Sequence, residues 1–342
     1  MESRDYMDRS EDKDHLTPGL DDSEDGFADA SAVAVESRQM RIASGQHGER
    51  VDKALVHLAP EFSRTWLQSL VERGHVRLDG AAVAASSRRV RAAQLLSIEL
   101  IPTQESLAFR PESMDLDVLF EDPHLLVLNK PAGLVVHPAP GNWSGTLLNG
   151  LLAHNASAAN LPRAGIVHRL DKDTSGVMMV GKSLVAVTAL VRAMAARQVN
   201  RQYLALAHGE VPQAEQHIDQ PIGRDPHVRV RMAVVASGKP ARTDMRCVAM
   251  QEGVSAVVCK LHSGRTHQIR VHLASVGHAL VADTVYGGKP KLDMTRQALH
   301  AARLALKHPV NGLPLQFEAQ QPDDFKRAWG QVCGSDAQID WF

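Results

Sequence analysis

Very little in this 342-residue chain points to disulfides, metals or membranes. Its three cysteines, Cys247, Cys259 and Cys333, are odd in number and share no CxxC spacing, which argues against a disulfide framework and a structural zinc site. No apolar run reaches the length needed to span a bilayer. The first residues, MESRDYMDRSEDKD, contain no apolar segment of the kind a secretory signal requires. These features suggest a cytoplasmic protein with reduced thiols and no membrane association. The formal net charge is only −1, but it is unevenly spread. Residues 1–36 hold twelve acids against three bases, a balance of −9, which leaves +8 on the rest. A basic body suits a phosphate backbone, although charge alone does not separate RNA binding from a solvated surface.

Residues 1–45 are rich in Asp, Glu and Ser and lack apolar periodicity, so they read as a disordered acidic tail. A solubilising role is the plainer reading for such a block, and RNA mimicry the sharper one. Residues 48–101 form a compact pattern of two helices followed by strands. Val51, Leu55 and Leu58 are spaced for one helix face. Ser63 is placed to cap a second helix carrying Trp66, Leu67, Leu70 and Val71, and Gly74 to end it. Val76 and Leu78 alternate before the Asp79-Gly80 hairpin signal, and Leu96, Ile98 and Leu100 alternate again. Arg64, Arg73, Arg77, Arg88, Arg89 and Arg91 fall mostly off the apolar positions. The stretch RVDKALVHLAPEFSRTWLQSLVERGHVRLDG, with SSRRVRAAQLLSIEL, resembles the S4 RNA-binding domain. It departs from the usual Gly-Asp turn at Ala93-Gln94.

Residues 102–115 read as a linker, residues 116–330 as one domain of mixed strands and helices, and 331–342 as a C-terminal tail. Short strands are expected at Leu125–Leu128, Val177–Val180 and Tyr203–Ala207. A helix should follow Ser183, with Leu184, Val187, Leu190, Val191 and Met194 on one side. Glu252-Gly253 should join two strands, and Gln268–Val276 should form a helix capped by Thr266 and closed by Gly277. Strands scattered among helices indicate an α+β fold with a mixed, largely antiparallel sheet, beside the small α+β N-terminal domain.

Two segments carry chemistry. In RAGIVHRLDKDTSGVMMVGKS (163–183), His168, Arg169 and Asp171 share a short non-helical stretch, which suits either a structural ion pair or a catalytic cluster. In LHSGRTHQIRVHLASVGHALVAD (261–283), Gly264 allows close backbone approach, and Arg265 and Arg270 follow. His267 and His272 invite a metal reading, but i,i+5 spacing sets them roughly 140° apart on a helix, and no acid supplies a third ligand. Gly176–Ser183 matches the phosphate-loop pattern G-x4-G-K-S, yet its intervening residues are apolar and read as a strand rather than a phosphate cradle.

His168-Arg169-Leu170-Asp171 with Thr174-Ser175-Gly176, together with Gly264–His272, resembles the two signatures of the RluA family of pseudouridine synthases. Gln202-Tyr203-Leu204-Ala205, Asp283 with Tyr286-Gly287, and Ala298–Ala301 before His308-Pro309 extend the likeness. LVVHPAPGNWSGTLLNGLL (134–152) and PIGRDPHVRVRMAV (221–235) resemble the RluD-type branch, which acts on 23S large-subunit ribosomal RNA. His262-Ser263 departs from the family's commoner acidic residue and threonine. The resemblance implies a pseudouridine synthase fold and an isomerase that flips its target base. Asp171 would attack the sugar carbon or remove a sugar proton to give a glycal. Arg265 would be its basic partner, and Tyr203 would stack on the base and help remove the final proton. His168, Arg169 and Arg270 would serve RNA binding and base flipping, with Arg169 filling the vacated space. It further implies ribosomal RNA or a pre-ribosomal particle as partner, a monomer, and no metal or nucleotide cofactor. A non-catalytic RNA chaperone, a P-loop NTPase and a glycoside hydrolase are the competing classes; the last predicts a second carboxylate beside Asp171.

Overall fold

The computed structural model describes residues 36–101, 108–212, 215–228, 231–334, 339 and 341–342. The expected tail at residues 1–35 and the first part of the linker, 102–107, lie outside them. The chain divides into two compact units at Pro102/Thr103.

The first unit begins with a strand, β1 (Glu36–Arg41), where an unstructured tail is expected. Its sequence, ESRQMR, is polar on both sides, so apolar alternation gives no signal. The strand exists because it pairs antiparallel with β4. Helices α1 (Val51–Leu58) and α2 (Arg64–Glu72) follow, then β2 (Val76–Leu78), β3 (Ala81–Ala82) and β4 (Leu95–Leu100), in a sheet ordered β1-β4-β2-β3. The Ser63 side chain accepts the Trp66 N–H at the start of α2. Asp79 and Gly80 both have positive φ, as a tight hairpin requires. Ala93 takes φ 71°, so the turn forms even though alanine stands where glycine would be relaxed. One buried carboxylate, Asp52, ties α1 to α2 by accepting bonds from Arg50, Arg64 and Gln68. Burial raises its pKa, but these donors outweigh that and hold it at about 2.

The second unit is built on β5 (Val118–Glu121), β6 (Leu125–Lys130), β7 (Ser175–Gly181), β8 (Asn200–His208), β9 (Gln216–Asp219), β12 (Arg242–Gln251), β13 (Val254–Leu261), β14 (Leu299–Lys307) and β15 (Pro314–Glu318). They form one nine-stranded sheet ordered β5-β6-β7-β14-β8-β13-β12-β9, with β15 also on β14. Only the short β7–β14 contact is parallel, so the sheet is mixed and largely antiparallel. Strands β10 (Ile222–Arg224) and β11 (Met232–Val234) make a separate hairpin. The helices are α3 (Leu147–His154), α4 (Leu184–Ala195), α5 (Gln268–Ser275) and α6 (Asp323–Cys333).

Strand alternation sorts side chains between two cores. From β8, Tyr203, Ala205 and Ala207 join the core that holds α3 and α5, whereas Leu204 and Leu206 join that of α6. Gly176 marks where β7 meets β14: a Cβ there would lie 2.1 Å from the Ala301 carbonyl oxygen, at φ 118°. Gly176–Gly181 lies within the buried strand β7, and Ser183 caps α4, so the intervening residues are strand rather than a phosphate loop. On α4 the expected apolar face is only partly right: Val187 and Leu190 are buried, but Leu184 and Val191 are exposed. The expected domain end at residue 330 also fails, because α6 runs through it to Cys333. Beyond it, Gln202 exchanges two hydrogen bonds with the Phe342 backbone.

Candidate active site

Asp171 sits in the irregular stretch before β7, and its loop is held by backbone contacts. The Lys172 carbonyl accepts from Lys130 Nζ and from the Gly133 N–H, both at 2.9 Å. Lys130 is fully buried and donates also to the Pro131 and Leu134 carbonyls; burial lowers its pKa to about 8 despite Asp173 and Asp171 nearby. Arg296 Nη1 donates to the Asp173 carbonyl. The segment bearing Asp171 is therefore pinned on three sides.

Arg270, not Arg265, is the cation on Asp171. Nη1 of Arg270 donates to Asp171 Oδ2 at 3.0 Å, while Nε and Nη2 fork onto the two oxygens of Asp283 at 2.7 and 2.9 Å. The guanidinium side chain is 6% exposed, Asp283 1% and Asp171 16%. Burial lowers the Arg270 pKa, but Asp283 and then Asp171 outweigh it and leave it raised. Arg265 is exposed and donates Nε to the Pro240 carbonyl instead. The reason is local. Helix α5 starts at Gln268, its N-cap is His267 rather than Thr266, and His267 turns the chain at φ 56°. Arg270 thus falls on the first helical turn facing Asp171, while Arg265 precedes the reversal. The Gln268 side chain fastens the loop, with Oε1 accepting from Ser263 Oγ and the Arg265 N–H, and Nε2 donating to the Arg242 carbonyl.

Asp171, Tyr203, His168, Arg169, Arg265 and Arg270 all line one cavity of about 270 Å³. A second cavity of about 860 Å³ also includes Asp171 in its lining, with Arg169, Lys172 and Thr284. Tyr203 is buried in the first, and burial raises its pKa. His168 Nε2 accepts the Met179 N–H, and burial, aided by Arg201, lowers its pKa to about 3. His137 lines the same space with its pKa lowered to about 4 by burial and by Arg169 and Arg163. Both shifts disfavour the charged imidazole, and Arg163, Arg169, Arg201, Arg265 and Arg270 line the same space. Arg201 was not expected: it is 8% exposed, donates to the Ser263 carbonyl, and comes so near Gly264 that a Cβ there would lie 2.9 Å from its Nη1. The rings of the two histidines weighed as metal ligands have separate partners. His272 bonds Thr243 and the Gln220 carbonyl, and His267 faces Asp171. Asp283 shares Arg270 with Asp171, but both its oxygens are committed to that arginine, unlike the free second carboxylate of a glycosidase.

A sequence model described as RNA pseudouridylate synthase matches residues 124–275, the stretch that supplies Asp171, Tyr203 and Arg270. The "Ribosomal large subunit pseudouridine synthase D" of Neisseria meningitidis serogroup B is 45% identical over 94% of this chain and 95% of its own length. The chain belongs to the RNA pseudouridylate synthase family. The identically named protein of Nitrosomonas europaea is 43% identical over 88% of this chain and 89% of its own. Among solved structures, human RNA Pseudouridylate Synthase Domain Containing 1 is 26% identical, with a TM-score of 0.49 over 64% of this chain and 89% of that one. Membership makes the protein an isomerase acting on RNA. Asp283 and Tyr286 lie beyond the matched stretch of this family's model and are joined to it through Arg270 and His267.

Proposed function

We propose that this protein isomerises uridine to pseudouridine in large-subunit ribosomal RNA, with Asp171 as the reacting carboxylate. The observation that carries the reading is the pairing of Asp171 with a buried arginine that holds one of its oxygens, inside a cavity that also holds Tyr203. The reaction breaks the N1–C1′ bond, rotates the base, forms a C5–C1′ bond and moves a proton from C5. Either Asp171 attacks C1′ directly, or it takes the C2′ proton and returns it through a glycal. The base never leaves, so one free carboxylate suffices where a hydrolase needs two. Arg270 orients that carboxylate through a charge-assisted hydrogen bond. Tyr203 lines the cavity with Asp171, where its ring can stack on the base and its hydroxyl can help remove the final proton. Arg169 is exposed at the mouth, where its planar guanidinium can occupy the space a flipped base vacates. The isomerisation itself calls for no metal or nucleotide, and a monomer acting in the cytoplasm fits the reading.

The first unit is proposed to be an S4 RNA-binding domain. All six arginines from Arg64 to Arg91 are exposed, with Arg64 also on Asp52 and Arg89 on the Gly48 carbonyl. They would supply affinity and placement, while the site supplies chemistry. Mapping pseudouridines in ribosomal RNA from cells with and without the gene tests the function. Loss of particular large-subunit pseudouridines is expected, and an unchanged map would contradict it.

A further inference from the structure

Asp171 offers its two oxygens unequally. Oδ2 accepts from Arg270 at 3.0 Å, whereas Oδ1 faces His267 Nε2 at 3.8 Å. That separation is too long for a direct hydrogen bond. It suits a hydroxyl lying between the two groups and bonded to each. The His267 ring is fixed in this orientation. Its Nδ1 lies 2.8 Å from the Tyr286 hydroxyl, whose oxygen also accepts the Met232 N–H at 3.0 Å. Tyr286 therefore still has its own proton to place, and Nδ1 is the acceptor beside it. That puts the imidazole proton on Nε2, the side facing the Asp171 charge, which favours the same tautomer. Burial lowers the His267 pKa against the opposing pull of Asp171.

With Oδ2 held by Arg270, the oxygen left to react is Oδ1. It meets either C1′ or the hydrogen on C2′, and in both cases the 2′-hydroxyl on C2′ lies beside it. We infer that His267 binds the ribose 2′-hydroxyl of the target nucleotide, its Nε2–H donating to the hydroxyl oxygen, so that the site prefers a ribonucleotide over its 2′-deoxy analogue. Tyr286 acts through His267 as a positioning residue. The inference rests on Asp171 being the reacting group.

The test uses an RNA stem-loop containing one mapped target uridine and an identical oligonucleotide with 2′-deoxyuridine at that position. Single-turnover rates are measured for the full-length wild-type protein and for His267→Phe, His267→Gln and Tyr286→Phe. The ribose-to-deoxyribose rate ratio should fall about tenfold or more in His267→Phe, which has no donor to lose to the missing hydroxyl. His267→Gln, whose amide can donate, should recover part of the ratio, and Tyr286→Phe should lower it by freeing the ring. The intrinsic effect of the hydroxyl on sugar reactivity is common to all proteins and cancels between them. An unchanged ratio in His267→Phe overturns the inference; if that variant does not fold, an unchanged ratio in Tyr286→Phe does so. Failure of the underlying reading looks different, because the wild type would then leave the ribose target unmodified or Asp171→Asn would remain active.

Discussion

Replacing Arg270 by methionine keeps side-chain length and removes the cation that Asp171 and Asp283 share. Both Asp283 oxygens rely on it, and Asp283 is almost fully buried. Breaking a buried ion pair by deleting one partner costs about 3–5 kcal/mol, because the other charge stays desolvated. For a unit of this size each kcal/mol moves the melting temperature by roughly 2–4 °C, so a loss of about 6–20 °C is expected. Arg270→Lys retains the charge but not the fork, and should fall between wild type and methionine. Catalysis should suffer further. Loss of the bond that orients Asp171 should lower the single-turnover rate by about a hundredfold or more. Arg265→Met is the internal control. Arg265 is exposed and the only described bond of its side chain goes to a backbone carbonyl, so stability should change by less than about 1 kcal/mol. Its effect should fall on RNA affinity. Thermal melts and single-turnover rates for the three variants make the comparison. A folded Arg270→Met protein with the wild-type rate and melting temperature would refute the argument, as would loss of the chemical step in Arg265→Met alone.

The remaining predictions use other parts of the molecule. His137, His168 and His300 have folded pKa values of about 4, 3 and 4, below the usual 6.5, because they are buried neutral. The unfolded chain therefore binds more protons below pH 6.5, so stability is full above that pH and falls as pH drops toward 4. Each histidine contributes a slope of up to about 1.4 kcal/mol per pH unit, measurable by denaturant melts, and His300→Gln should flatten that limb. Ala93→Gly should stabilise the first unit by about 0.5–1 kcal/mol, since glycine accepts φ 71° without strain; a destabilised variant would contradict this. Deleting residues 1–103 should weaken binding to a ribosomal RNA fragment and flatten its salt dependence, by about 0.7–0.9 in log–log slope for each phosphate that is no longer neutralised. Equal slopes with and without the first unit would mean that the arginines are only a solvated surface.

Local chemistry was readable from the residues, and long-range pairing was not. The Ser63 cap, the Asp79-Gly80 turn and the alternation that turns Tyr203 toward the site each depend on neighbours within a few positions. Strand β1 escaped notice because a polar edge strand shows no apolar alternation, and its partner lies more than fifty residues away. The choice between Arg265 and Arg270 turned on where α5 begins. Thr266 is a reasonable cap by residue type, yet the chain reverses at His267 and brings Arg270 against a carboxylate 99 positions earlier. Asp283 and Tyr286 stood in the family resemblance without a role, which only their contacts with Arg270 and His267 reveal. Arg201, adjacent to Gln202-Tyr203, had no signal of its own; its closeness to Gly264 depends on how β8 passes the loop after β13.

The central claim is that Asp171 reacts with the sugar, and Asp171→Asn tests it most directly. The change is isosteric and keeps an oxygen for Arg270, so folding and RNA binding should persist. A ribosomal RNA fragment with C5-tritiated uridine is incubated with excess enzyme under single-turnover conditions, and released tritium is counted. The wild type should release tritium from the target uridine and the folded, RNA-binding Asp171→Asn protein none above background. Release at a substantial fraction of the wild-type rate would remove Asp171 from the chemical step.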